Sequence, residues 1–174
     1  MTPSKLLKDA VNILKLNSQI IESISNQVLC MKYSYVEVNF NTSAGEQLRC
    51  FIPSALYIGQ QTQRKNFIGC SKEEEASVYQ WLEYCLLNSS HMSNQEILSE
   101  LNLNLKDSVY LARNNFTIAD LLIYLSLHEV YSKLTFQEKE VYSNLSRWFR
   151  QVQNETSSSD LYPKIVFTKT KLYT

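Results

Sequence analysis

The chain has 174 residues in which 17 Lys and Arg balance 17 Asp and Glu, so no global field draws it to nucleic acid or an acidic membrane and partners must be recognised by local shape. Three Gly and three Pro against eleven Tyr leave few loop breakers and favour long helices with amphipathic surfaces. The four cysteines, Cys30, Cys50, Cys70 and Cys85, form no Cys-x-x-Cys pair and have no histidine at zinc-ligand spacing. They are read as buried free thiols, which argues against a metal or disulfide framework.

Thr2 and Pro3 suit an N-cap and a first helical position, and Leu6, Leu7, Ala10, Val11 and Leu14 recur at helical spacing, which predicts a helix over residues 3–16. Ile20, Ile21, Ile24 and Val28 either continue it or start a second short helix, with Asn17 and Ser18 as the break. From Tyr33 to Phe40 the pattern changes to strict alternation, repeated over Gln47 to Ile52. The intervening Asn41-Thr42-Ser43-Ala44-Gly45 turn makes the two an antiparallel hairpin. After Pro53, the run Ser54 to Ile58 opens a helix that fades near Arg64 and Lys65.

Residues 71–155 are helical in pattern, and four starts carry a capping box: Ser71 with Glu74, Ser93 with Glu96, Thr117 with Asp120, and Thr135 with Glu138. Met92 with Ile97, and Phe116 with Leu121, add hydrophobic staples. The helix after Ser71 has one apolar stripe, Val78, Trp81, Leu82, Cys85 and Leu86. The helix from Ile118 to about Leu134 is apolar almost all round, the mark of a central, buried helix in a bundle. Leu145, Trp148, Phe149 and Val152 give the last helix a single stripe, with Arg147, Arg150 and Gln151 off it. Residues 156–160 form a polar linker, and Ile165-Val166-Phe167 an extended tail that packs back on the bundle. The start of the chain lacks a secretory pattern, and no apolar run reaches the ~20 residues needed to span a bilayer, so a soluble intracellular protein is expected.

The string Tyr110-Leu111-Ala112-Arg113-Asn114-Asn115-Phe116-Thr117-Ile118-Ala119-Asp120-Leu121 resembles the helix-start signature of the glutathione transferase C-terminal domain. Gln80-Trp81-Leu82-Glu83-Tyr84, Leu134-Thr135-Phe136-Gln137-Glu138-Lys139-Glu140, Asn144-Leu145-Ser146-Arg147-Trp148-Phe149, Ile165-Val166-Phe167 and Lys171-Leu172-Tyr173-Thr174 resemble a narrower family, the aminoacyl-tRNA synthetase complex-interacting multifunctional proteins. This resemblance covers residues 54–174, and residues 1–53 match loosely.

What the resemblance implies is an α+β, mostly α, glutathione-transferase-like fold. A reduced thioredoxin-like part would cover residues 1–66 and an all-helical C-terminal-type domain residues 67–174. It also implies a scaffold without a cofactor that docks methionyl-tRNA synthetase and glutamyl-prolyl-tRNA synthetase, and other members of the multisynthetase complex through them. A cytoplasmic location, and a nuclear one tied to a DNA-damage response through p53, are implied in the same way. Direct binding of nucleic acid or membrane is not expected. Two docking faces follow as expectations. Methionyl-tRNA synthetase would bind where the helices from Ser54 and Ser71 meet, through Leu56 and Tyr57. The second face would combine Glu83 with Arg147 and Arg150, where Arg147 occupies the position of the arginine that family members present to glutamyl-prolyl-tRNA synthetase.

The rival reading is a working glutathione transferase. It requires a Tyr, Ser or Cys near the end of a first strand, a Pro opening the strand of the peptide site, and an acid beside a Ser at the next helix start. Here the first pattern is helical, Glu37 falls near the place of that Pro, and Phe51-Ile52-Pro53-Ser54 has no acid. Asp120 is read as a capping residue rather than a base, and His128 as a satisfied histidine of an apolar helix. Glu73-Glu74-Glu75 complements a helix dipole, and Lys164, Lys169 and Lys171 do not make a tRNA footprint. A glutathione-transferase-like module of the elongation factor 1 complex is the remaining alternative.

Overall fold

A computed structural model describes residues 2–16, 24–28, 37–41, 47–156 and 162–167, the strands through residue 49 by their backbone alone. In chain order the elements are α1 (Pro3–Ile13), β1 (Ile24–Val28), β2 (Glu37–Asn41), β3 (Gln47–Cys50), α2 (Phe51–Gln60), α3 (Lys72–Asn88), α4 (Gln95–Asn104), α5 (Ile118–Lys133), α6 (Phe136–Val141) and α7 (Ser143–Glu155). The sheet is a β1-β2-β3 antiparallel meander, with Ile24 opposite Phe40 and Asn41 opposite Gln47.

The hairpin expected from the alternation is present as the β2–β3 pair. Tyr33 to Val36 and most of the turn lie outside the described residues. Ile24 to Val28, read as helical, is a strand: positions four apart share a face in either conformation, and pairing with β2 decides between them. α1 stops at Ile13 and not at residue 16, because Lys15 adopts φ 52°. The amides of Lys15 and Leu16 return to the carbonyls of Asn12 and Val11 at 3.1 Å, a Schellman closure with lysine in the place glycine usually takes. α2 begins at Phe51, earlier than Ser54, and the Ser54 hydroxyl donates back to the Cys50 carbonyl at 2.8 Å.

Every residue from Ile118 to His128 is buried, so α5 is the axis the pattern predicted. Around it pack α1, α2, α3 and α7, and one hydrophobic core runs from Leu6 and Val11 through Phe51 and Ile58 to Trp148 and Phe149. α2 comes close because Gly59 has no side chain: a Cβ there would lie 2.8 Å from Ile68 and 3.6 Å from Ile118. Gly69 is required at φ +107°, where a Cβ would meet the Glu75 amide nitrogen at 2.7 Å.

The tail packs back as expected. Tyr162 donates to Asp9 on α1 at 2.6 Å, the Pro163 carbonyl meets His128 Nε2 at 3.0 Å, and the Gln153 amide pairs with both the amide and the carbonyl of Ile165. Phe167 closes an aromatic cluster with Tyr131 and Phe149. His128 is thus a satisfied histidine, and burial pushes its pKa below the usual 6.5. The thiols depart from expectation. Cys85 is buried, with its pKa pushed up by burial to about 11, but Cys50 and Cys70 are exposed, and Cys30 lies outside the described residues.

Candidate functional site: two helical faces and the caps that hold them

The start of α5 is held by one buried carboxylate with four donors. Asp120 is fully buried, and its Oδ2 accepts from the Thr117 amide at 3.0 Å and the Thr117 hydroxyl at 2.8 Å. Its Oδ1 accepts from the Leu111 amide at 2.9 Å and from Trp148 Nε1 at 2.8 Å. Burial pushes this carboxyl up, while four donors and no acceptor around it suit the carboxylate form. One side chain therefore caps α5, fixes the loop before it and receives the indole of α7.

Ser71 and Glu74 form half of the expected box. Ser71 Oγ accepts from the Glu74 amide at 3.2 Å, but the Glu74 carboxylate reaches past Ser71 to the Cys70 amide at 3.0 Å and receives the Asn115 amide group at 3.0 Å on both oxygens. The Cys70 thiol first, then the Cys70 amide and Asn115, hold its pKa below the ordinary range. The Thr135–Glu138 box forms in full, with both arms between 2.8 and 3.3 Å. At α4 the cap is Asn94 rather than Ser93: Asn94 Oδ1 accepts from the Glu96 amide at 3.1 Å, an Asx arrangement that starts the helix one residue later.

The first candidate face lies on α2 and α3. Leu56, expected to meet a partner, is 9% exposed and belongs to the protein's own core, while Tyr57 is half-buried. α3 buries Val78, Leu82 and Cys85 and packs Trp81, Tyr84 and Leu86 partly against the core, so only its opposite side is bare. On that bare side Tyr79 is 51% and Leu87 60% exposed, one turn on either side of Glu83. Glu83 therefore groups with two exposed apolar residues of α3, and among the described residues it makes no ion pair with Arg147 or Arg150. α3 packs on α2 and α5, whereas α7 packs on α4, α5 and α6.

The second face is built where the end of α4 meets the start of α7. Asn102 Oδ1 accepts from the amides of Asn144 and Leu145 at 3.0 and 3.1 Å, capping α7, and the Asn144 side chain donates to the Asn102 carbonyl at 3.2 Å. In return, Arg147 Nη2 donates to the carbonyls of Leu105 at 2.6 Å and Ser108 at 3.0 Å, closing the end of α4. Each helix supplies the cap of the other. Arg147, expected to stand free on the polar face, spends one arm of its fork on this loop and presents the other. Arg150 is exposed one turn along, and Leu103 and Val109, at the end of α4 and in the loop after it, are 70% and 53% exposed. A cleft of about 360 Å³ is lined by Val109, Arg147, Trp148 and Gln151. Sequence reading missed Asn102: an asparagine in a last helical turn reads as a stop signal, and its partners lie 42 and 43 residues away.

The reactive chemistry is sparse. Every described tyrosine or cysteine with a displaced pKa is displaced upward: Cys70 by its contact with Glu74, and Cys85, Tyr84, Tyr110, Tyr124, Tyr131 and Tyr162 first by burial. Thiolate or phenolate activation works in the opposite direction. No group of His, Cys, Asp and Glu that could hold a metal ion occurs among the described residues, and no helix among them is long and apolar enough to cross a membrane.

An all-helical bundle around a capped central helix, joined to a small sheet, is a glutathione-transferase-like fold. Solved structures agree. A Gtt2-class glutathione S-transferase of Vibrio parahaemolyticus superposes with a TM-score of 0.60 at 20% identity, covering 93% of this chain and 92% of that one. A Bombyx mori glutathione transferase does so with a TM-score of 0.61 at 14% identity, covering 88% and 83%. Within that class the chain belongs to the eukaryotic translation elongation factor 1 epsilon-1 family: it is 39% identical to the Mus musculus and Homo sapiens members, over 76% of this chain and 78% and 79% of theirs. Residues 74–156 match the family described as nuclear-export cofactor Arc1p. The tRNA-aminoacylation cofactor arc1 of Schizosaccharomyces pombe is 27% identical over 60% of this chain and 23% of its own length.

Proposed function

We propose that the chain is a non-catalytic assembly subunit that docks glutathione-transferase-like appendages of aminoacyl-tRNA synthetases in the cytoplasm. Methionyl-tRNA synthetase would take the α2–α3 face through Tyr57, Tyr79, Glu83 and Leu87. Glutamyl-prolyl-tRNA synthetase would take the α4–α7 face through Arg147 and Arg150. The observation that carries the reading is family membership, together with a helical region shared with a protein named as a tRNA-aminoacylation cofactor. The bare side of α3 and the half-used fork of Arg147 support it physically, since exposed aromatic and guanidinium groups make good anchors at interfaces. The upward-displaced thiols and phenols support the non-catalytic part.

The test is co-expression of the full chain with each appendage from the same organism, followed by size exclusion. A stoichiometric complex with both, formed independently, is expected. A folded chain that elutes alone with each would sink the reading. The name of the matched relatives favours a second reading, a module of the elongation factor 1 complex, and co-elution with elongation factor 1 subunits instead would select it. Calorimetric titration with glutathione is expected to show no binding; turnover of a glutathione conjugate would overturn the non-catalytic assignment.

A further inference from the structure

The carbonyls at the end of α4 and the amides at the start of α7 are the groups a helix leaves unpaired, and here the two ends face each other. The accounting is nearly complete. The Leu101 and Leu103 carbonyls are taken by the amides of Leu105 and Lys106, and the Asn102 carbonyl by the Asn144 side chain. The Asn144 and Leu145 amides are taken by Asn102 Oδ1, and the Ser146 amide by the Tyr142 carbonyl. Arg147 then closes the ring three residues on from Asn144, onto Leu105, which stands three residues on from Asn102. The negative end of one helix dipole meets the positive end of the other, so the junction is favourable before any partner arrives.

The geometry points to Asn102 as a positioning residue of the α4–α7 docking face: by capping α7 it sets the register from which Arg147 reaches the 105–109 loop, and so aims the free arm of the guanidinium at the partner. The inference rests on the docking reading of that face. The occupant is the acidic surface of the partner appendage that Arg147 and Arg150 address. Lys106, Arg147 and Arg150 against Asp107 give this patch an excess of positive charge, on a chain whose net charge is zero. Asn102 itself is half-buried beneath the loop and has its side-chain oxygen and its carbonyl already occupied within the chain. Preorganisation of this kind raises affinity by removing the cost of ordering the fork and the loop at the moment of binding.

The experiment is a double-mutant cycle on the full chain, read by calorimetry with the glutamyl-prolyl-tRNA synthetase appendage and by amide hydrogen exchange on the chain alone. Asn102→Ala is expected to speed exchange at Asn144, Leu145 and residues 105–109, and to weaken binding about threefold to tenfold, the scale of one or two hydrogen bonds. In an Arg147→Ala background the same change is expected to weaken binding by less than about twofold, because the group it positions is gone. Asn102→Asp keeps an acceptor for both amides and is expected to keep their protection. Asn144→Ala, which removes one bond of the ring, is the milder variant should Asn102→Ala unfold, and it should shift exchange and affinity in the same direction by less. Unchanged exchange in Asn102→Ala overturns the inference. So does an equal loss of affinity in both backgrounds, or a loss confined to Arg147→Ala. If exchange rises while both Asn102→Ala and Arg147→Ala bind as the wild type does, the docking reading of this face has failed, and the positioning role falls with it. Methionyl-tRNA synthetase binding on α2–α3 is the control that none of these variants should move.

Discussion

The start of α5 and the junction of α4 with α7 solve the same problem in opposite settings. Both satisfy helix-end groups with a side chain, Asp120 in one and the Asn102–Arg147 pair in the other. At α5 the cap is sequence-local, since Thr117 and Asp120 are three residues apart, and it is wholly buried with the Trp148 indole against it. At the junction the caps cross 39 to 43 residues of chain and are only part-buried or exposed. A buried cap ties stability to its bonds, because donors left behind in the core have no water to turn to. An exposed, reciprocal cap costs less to lose and leaves a charged group half-free for another molecule.

The comparison breaks most readily at Asp120. Asp120→Ala leaves four donors unpaired in the core and is expected to cost about 3–5 kcal/mol in equilibrium urea unfolding. A loss under about 1 kcal/mol would show that the buried cap is no more consequential than an exposed one. Arg147→Ala removes one part-buried bond to Leu105 and one exposed bond to Ser108, and its expected cost in the same assay is about 1–2 kcal/mol. A cost as large as that of Asp120→Ala would mean the junction is a second core.

Thr135→Ala sharpens the point on a cap that is both local and exposed: α6 buries none of its residues, and the expected loss is about 1 kcal/mol. The smallest effect is a pH dependence at the same box. The Thr135 amide and hydroxyl hold Glu138 below the usual 4.5. Its contribution is therefore fully present above pH 4.5, and it is lost as the pH falls through the lower folded-state value. Between about pH 6 and pH 3, Glu138→Gln should show a shallower decline of the urea midpoint than the wild type. An identical slope would mean the bonds do not select the charged form.

Legibility in the sequence followed the same division. Thr117, Asp120, Thr135 and Glu138 could be read because a capping box is a contact between residues three apart, and the all-round apolar pattern of Ile118 to Leu134 identified the central helix. Asn94 displaced Ser93 because two adjacent polar residues can each cap, and the pattern does not rank them. Of the candidate site, the polar-face position of Arg147 and Arg150 on the last helix was legible, but the bonds Arg147 makes to Leu105 and Ser108 were not. Glu83 was grouped with them although it makes no ion pair with either among the described residues, and Leu56 was taken for a surface residue although α2 turns it into the core.

By itself, then, the sequence determined the starts of α1, α3, α5 and α6, the buried axis, the single-striped helices around it and the family, because each depends on spacing within one element or on a run of matching residues. The tertiary structure decided that Ile24 to Val28 pairs as a strand, that Cys50 and Cys70 face outward while Cys85 does not, and that Asn102 and Arg147 cap each other's helices. Those outcomes depend on which segments meet across tens of residues. A hydrogen bond between two side-chain and backbone groups that far apart leaves no period in the chain, and is set by the packing that brings them together.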